Sequence, residues 1–177
     1  MKKIVLAALL PLLLSLPVTA QDNSQAVAQL LTKGDFTEAA KLLKPQADAG
    51  DALAQYRLGM LYYNGRGVAE SEKTAVDLLI KSANQGNVDA MYQLGNAYAF
   101  GNDTQAMVAD ADQEAAQWYF KAANTGNADA QYSLGLLFSV GKGVQKNDKE
   151  AAYWMQQAAK NGHKDAQSYN TSTGHSR

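Results

Sequence analysis

The chain has 177 residues, 46% of them apolar, with 16 basic and 17 acidic side chains and no cysteine. That length and apolar share fit one folded domain and argue against a disordered chain. The balanced charge leaves no basic footprint for nucleic acid, and the lack of cysteine excludes a disulfide framework, a thiolate nucleophile and a thiol-based zinc site.

The first twenty residues read apart from the rest. Lys2 and Lys3 precede an apolar run from Ile4 to Leu16, and Val18-Thr19-Ala20 places small residues before Gln21. This is the three-part layout of a secretory signal peptide, cleaved after residue 20. The run is shorter than the roughly 20 residues a spanning helix needs, and Pro11 and Pro17 interrupt it. Without Lys2 and Lys3 the mature chain keeps 14 basic residues against 17 acidic ones. The expectation is a monomer with no stable membrane anchor, in the periplasm or secreted.

Residues 21–50 read as a helix pair. Asp22 to Ser24 can start a helix over 24–33, with Ala26, Val27, Leu30 and Leu31 as its apolar face and Gly34 as its C-terminal cap. Asp35 and Glu38 have the spacing of a capping box for the next helix, whose apolar face is Ala39, Leu42, Leu43 and Ala47. Pro45 lacks the N–H that would bond residue 41, which predicts a kink or an early end there.

A repeat then becomes explicit. Gly50, Gly86, Gly126 and Gly162 are spaced 36, 40 and 36 residues apart, and Ala54, Ala90, Ala130 and Ala166 keep the same steps. Periods of this length mark stacked helix pairs. The units are 51–86, 87–126 and 127–162. Their first helices fall near 51–63, 87–99 and 127–139, and their second near 72–85, 112–125 and 148–161. With the N-terminal pair this makes about seven or eight helices.

Tyr56, Tyr92 and Tyr132 recur with Leu58, Leu94 and Leu134, and should fill the space between paired helices. Gly59, Gly95 and Gly135 lie inside helices, where Gly costs about 1 kcal/mol relative to Ala, so close helix crossings are expected there. Ala75, Ala115 and Ala151 begin the seam against the following unit. Ser71 can cap its helix, and Asn147 with Glu150 forms a capping box. The middle unit replaces Gly-x-Gly-Val with a loop over 101–108 that is four residues longer. Its second helix should start at Asp110. Lys164 to Gln167 begin a further first helix, but Asn170 stands where Leu is due, so a frayed cap and a flexible tail over 167–177 are expected.

These positions together resemble the Sel1-like repeat, a relative of the tetratricopeptide repeat. The first unit meets the pattern with Ala54, Leu58, Gly59, Tyr62, Gly65, Gly67, Val68, Lys73, Ala75, Ala83, Gly86 and Ala90. The third adds Trp154, Ala158 and Ala159. The middle one keeps Leu94, Gly95, Tyr98, Trp118 and Gly126 but loses the second loop Gly, and the first departs at Leu78 and Ser82. Residues 30–43 are similar to a plain tetratricopeptide unit. The resemblance implies an all-α, right-handed solenoid of antiparallel helix pairs that binds another protein on its concave face and catalyses nothing. Exported bacterial members are linked to envelope adaptors, host interaction and immunity partners of secreted toxins. The alternatives to a general envelope binding module are therefore an immunity protein and an accessory factor of an envelope hydrolase.

Other chemistry finds little footing. The Gly-rich loops lack phosphate-loop spacing and follow no predicted strand. His163 and His175 are too few for a zinc site, and no cofactor or metal is expected. Asp103, Asp110, Asp112 and Glu114 form a local cluster that suits a solvated helix start more than glycoside chemistry or an EF-hand. The acidic stretch from Asp89 to Asp129 contrasts with Lys142, Lys146, Lys149, Lys160 and Lys164 and could steer a partner of matching charge.

Helical spacing of three and four places the candidate contact residues in rows. Leu53, Arg57, Met60 and Asn64 form the first row; Asp89, Gln93, Asn96 and Phe100 the second; Asp129, Ser133, Leu136 and Val140 the third. Tyr63 joins them at the end of its helix. The rows vary while the core positions repeat, and Arg, Met and aromatics are residue types that interfaces favour.

Overall fold

Ten helices follow one another along the described residues of this computed structural model, which are 20–172, with side chains described over 24–168. The predicted signal peptide, apart from Ala20, and the last five residues of the predicted tail lie outside them. An N-terminal pair, α1 (Ala20–Lys33) and α2 (Phe36–Asp48), precedes the repeats. The first repeat holds α3 (Ala52–Tyr63) and α4 (Glu72–Asn84). The second holds α5 (Val88–Phe100), the short α6 (Asn102–Ala106) and α7 (Ala111–Asn124). The third holds α8 (Ala128–Val140) and α9 (Asp148–Lys160), and α10 (Lys164–Ser172) follows.

Each long helix packs on the next in chain order, so the chain is an all-α solenoid of antiparallel helix pairs; α5 also touches α8, first helix to first helix. The apolar positions read from the repeat supply the core. Leu58, Leu94, Leu134, Leu79, Tyr119 and Trp154 are all buried, together with the small Ala75, Ala115 and Ala151 that let the helices approach. A fully buried Leu or aromatic stabilises by about 1.5–3 kcal/mol, so a few such positions per unit hold each pair to its neighbour.

The turns between units are built the same way. At Gly86 (φ 90°) the N–H of Asn87 donates to the Ser82 carbonyl, and the side chain of Asn87 accepts from the Ala90 N–H at 3.0 Å. One helix is thus closed and the next opened within two residues. Asp51 and Asn127 cap α3 and α8 alike, at 2.7 and 2.8 Å. His163 takes the same place before α10, accepting the Ala166 N–H at Nδ1.

Several local expectations give way to tertiary context. α1 begins at Ala20, four residues before the predicted start. Asp35 makes no side-chain cap bond, and Glu38 pairs instead with Lys41 at 2.6 Å. The helix runs through Pro45 to Asp48, because Ala39, Leu43 and Ala47 remain buried along one continuous face and outweigh one missing backbone bond. Asn147 caps α9 through the N–H groups of Lys149 and Glu150. Its own N–H goes to the Phe138 carbonyl and not to Glu150, so the box is only half made.

The greatest departures are α6, where a plain loop is expected, and α10, which stays helical to Ser172 inside the predicted tail. Both raise the helix count above the seven or eight expected. α6 is anchored by Glu72 at the start of α4. That carboxylate accepts the N–H groups of Asn102, Asp103 and Thr104 at 2.8–3.2 Å and the Thr104 hydroxyl at 2.9 Å. Thr104 is fully buried beneath it. Burial pulls the Glu72 pKa upward, but the bonds from Thr104, Asn102 and Asp103 outweigh it and hold the group below the usual carboxylate value.

Candidate functional site

The three predicted rows lie on the first helices α3, α5 and α8, and the structure treats their members differently. Phe100 and Val140, the last residues of α5 and α8, are 74% and 69% exposed. Leu53 and Leu136 are about two-fifths exposed, at 42% and 43%, and Asp89 is exposed as well. Arg57, Met60, Tyr63, Gln93, Asn96 and Ser133 are half-buried. Met60 and Tyr63 lean on the main apolar cluster. Asn96 has an internal duty: its Oδ1 accepts the Tyr119 hydroxyl at 2.7 Å, and its amide faces Gln93 at 3.4 Å. Burial, with Tyr92 nearby, pushes the Tyr119 phenol far upward, so it stays a neutral donor to Asn96.

Part of the first row opens on a real concavity. Arg57, Met60 and Asn64 line a cleft of about 430 Å³, together with Leu31 of α1, Phe36 of α2, Tyr56, Leu61 and Arg66. The Arg66 guanidinium lies over the Phe36 ring, 5.3 Å from its centroid, and Arg57 reaches Ser24 at 3.4 Å. Arg66 is held there by its loop. Gly67 (φ 70°) runs so close to α2 that an added Cβ would stand 2.4 Å from the Phe36 carbonyl carbon. Gly143 repeats this approach against Asp112, where an added Cβ would stand 2.0 Å from the carbonyl oxygen.

Sequence reasoning missed Phe36, Leu31 and Arg66 because they come from other elements than the row. It also missed the buried amides. Gln55 donates to the Ala47 carbonyl at 3.1 Å and accepts from Gln85 at 2.8 Å. Gln131 donates to Ala123 and accepts from Asn161 in the same way. Gln167 ties α10 to the Ala159 carbonyl. The middle repeat has Met91 and Thr125 at these two positions, and Thr125 bonds only its own helix, at the Ala122 carbonyl. The recurring Ala-Gln-Tyr was the available signal.

A second apolar surface lies on the second helices. Phe120 and Tyr153 are both about half exposed and flank Trp154 edge-on, with centroids 5.8 and 5.0 Å away. Phe120 also borders a groove of about 330 Å³ between α7 and α8. Among the described residues no three His, Asp or Glu side chains gather as metal ligands, and no helix is long and apolar enough to cross a membrane.

Comparison with known proteins accords with this geometry. Three copies of the Sel1 repeat match over residues 52–87, 88–127 and 128–163. A Sel1 repeat protein from Oxalobacter formigenes is similar in structure, with a TM-score of 0.75 and 30% identity over 85% of this chain and 62% of its own. The c5321 protein of uropathogenic Escherichia coli, described as a protective antigen with an SLR fold, has a TM-score of 0.75 and 27% identity over 88% of this chain and 34% of its own. The ERAD-associated E3 ubiquitin-protein ligase component HRD3A of Arabidopsis thaliana is 32% identical over 82 residues, 46% of this chain. The chain spans 12% of that plant relative and 62% of the Oxalobacter structure. With three repeats matched in register, and each built as a closed helix pair, the chain belongs to the Sel1 repeat family.

Proposed function

We propose that this protein is an exported binding module of the bacterial cell envelope that takes an extended segment or small domain of another protein on its first-helix face. One observation carries the reading. The rows on α3, α5 and α8 combine a lined cleft at one end with solvent-facing Phe100, Leu136 and Val140 further along. Exposed apolar side chains beside a pre-formed concavity are what a few buried anchors of an interface require. The direct contact of α5 with α8 supports taking this side as the inner, concave one. Export rests on the Lys2–Ala20 segment, and the charge pattern along the rows would set specificity.

The test is affinity capture from the envelope of the producing cell with residues 21–177 as bait. Three baits are compared: the unaltered chain, Arg57→Ala with Phe100→Ala, and Phe120→Ala with Tyr153→Ala. The proposal expects one stoichiometric partner, lost by the first variant and kept by the second. Loss confined to the second variant would move the site to the second-helix face.

A further inference from the structure

One repeat position at the start of the second helices holds Phe36, Glu72, Asp112 and Asp148; it is the first residue of α2, α4 and α9 and the second of α7. At two of the junctions the next unit's loop meets a carboxylate there. Glu72 receives the amides of α6, and Asp112 pairs with Lys142 of the third repeat's loop at 3.2 Å. Arg66 is the counterpart of Lys142, 76 residues earlier, and its loop docks in the same way. The residue it meets is Phe36, which offers a ring face but no negative charge. Arg57 stands in the same cleft and bonds the Ser24 hydroxyl, its one hydrogen-bond partner among the described side chains. Among the side chains described, those of residues 24–168, neither guanidinium forms an ion pair; the pairs present engage Lys41, Lys44, Lys142, Lys146 and His163.

From this contrast we infer that the cleft between α1, α2 and α3 binds a partner peptide carrying a carboxylate side chain beside a bulky apolar one, the carboxylate supplying at Arg66 and Arg57 the charge that Asp112 supplies within the chain. The inference rests on the first-helix reading above and names its ligand. With its guanidinium over the Phe36 ring and no ion pair among the described side chains, Arg66 has N–H groups to offer a carboxylate. Leu31, Met60 and Leu61 wall the remainder of the cleft. An inorganic anion would leave those walls wet, whereas an adjoining leucine or aromatic side chain of a peptide would cover them. Further along the face Asp89 and Asp129 are exposed, so the favoured segment places its acids at the cleft and not beyond it.

The experiment selects random linear peptides displayed on phage against residues 21–177, then titrates one synthetic enriched peptide by calorimetry in its acidic form and with each acid replaced by its amide. The expected result is enrichment of Asp or Glu next to Leu, Phe or Trp, and at least tenfold weaker binding of the amide form. Arg66→Gln and Arg57→Gln should each erase the difference between the two forms. Phe36→Asp should do so as well, by giving Arg66 an internal partner, with a lower melting temperature because the ring's packing on the N-terminal cluster is lost. Three results would overturn the inference: no enrichment, enrichment without carboxylates, or an acid preference that survives both arginine substitutions. Peptides bound equally in both forms but lost on Phe100→Ala with Leu136→Ala would overturn it while leaving the first-helix reading in place. Binding lost only on Phe120→Ala with Tyr153→Ala would overturn both.

Discussion

Gly95 and Tyr119 share one space: a Cβ added to Gly95 would stand 2.5 Å from two ring carbons of Tyr119. The ring cannot step aside, because it is buried and its hydroxyl is tied to Asn96. Gly95→Ala gains up to about 1 kcal/mol of helix preference and loses about 1–3 kcal/mol to overpacking. The expected outcome in urea denaturation is a net loss of about 1–2 kcal/mol. Gly135→Ala meets the flexible Met155 side chain at 3.1 Å and should cost less. The reverse ranking would contradict the packing described.

The anchor of α6 should respond to acid. The Glu72 pKa is held below its usual value of 4.5, so its contribution is complete above that pH and is lost as pH falls through the lowered folded value. Protection factors at the Asn102, Asp103 and Thr104 amides, which take out the intrinsic pH dependence of exchange, should therefore hold above pH 4.5 and fall as pH drops through that lowered value. In Glu72→Gln those amides should exchange quickly at neutral pH already. Glu72 is partly solvated, which limits the global cost of that change to about 1 kcal/mol.

The buried amides predict an asymmetry between repeats. Gln131→Met should cost about 1–2 kcal/mol, since it removes one of two bonds at the Ala123 carbonyl, which keeps the Gly126 N–H, and the bond from the exposed Asn161 amide. Asn161→Ala in that background should then cost almost nothing more, which a double-mutant cycle measures. Introducing Gln at Met91 alone should not stabilise, because Thr125 offers no amide to complete the pair.

Gly143→Ala should be among the most damaging single changes in the chain. Its backbone is left-handed, and the new methyl would overlap the Asp112 carbonyl, a backbone atom that cannot rotate away. A loss above about 3 kcal/mol is expected in thermal or urea unfolding, set against about 1 kcal/mol for Gly162→Ala, where the conformation is equally left-handed but the space is open.

What could be read from sequence depended on how local its cause was. Asp51, Asn87 and Asn127 act as caps within three residues of themselves, and Gly50, Gly86 and Gly126 close turns through their own backbone, so these turns were legible from their own residues. The helix α6 was not legible, because its anchor Glu72 lies thirty residues upstream and nothing in 101–108 announces it. Pro45 misled for a related reason: burial from neighbouring helices overrules the propensity of one residue. Of the side chains that helical spacing set in rows, Phe100, Leu136 and Val140 are exposed, whereas Arg57, Met60, Tyr63, Gln93, Asn96 and Ser133 are half-buried. The cleft beside Arg57 needed Leu31 and Phe36 from the unit before, and Arg66 from a loop whose path is set by the approach of Gly67 to α2.

The uneven distribution of amide ties has a mechanical consequence. Gln55, Gln131 and Gln167 bolt α3, α8 and α10 to the helix before, whereas α5 meets α4 through Met91, an apolar and adaptable side chain, beside the Glu72 contact. In a linear stack, where each unit touches only its neighbours, bending concentrates at the most compliant junction. Val76, Leu79 and Ala83 share a buried cluster with Ala90 and Leu94 across the α4–α5 boundary. That boundary nevertheless lacks the amide tie of the others and is expected to bend before them, with one block of the stack on either side. Its flexing would change the span from the Arg57 cleft on one block to Phe100 and Val140 on the other, so a ligand long enough to touch both would be gripped by the curvature it selects.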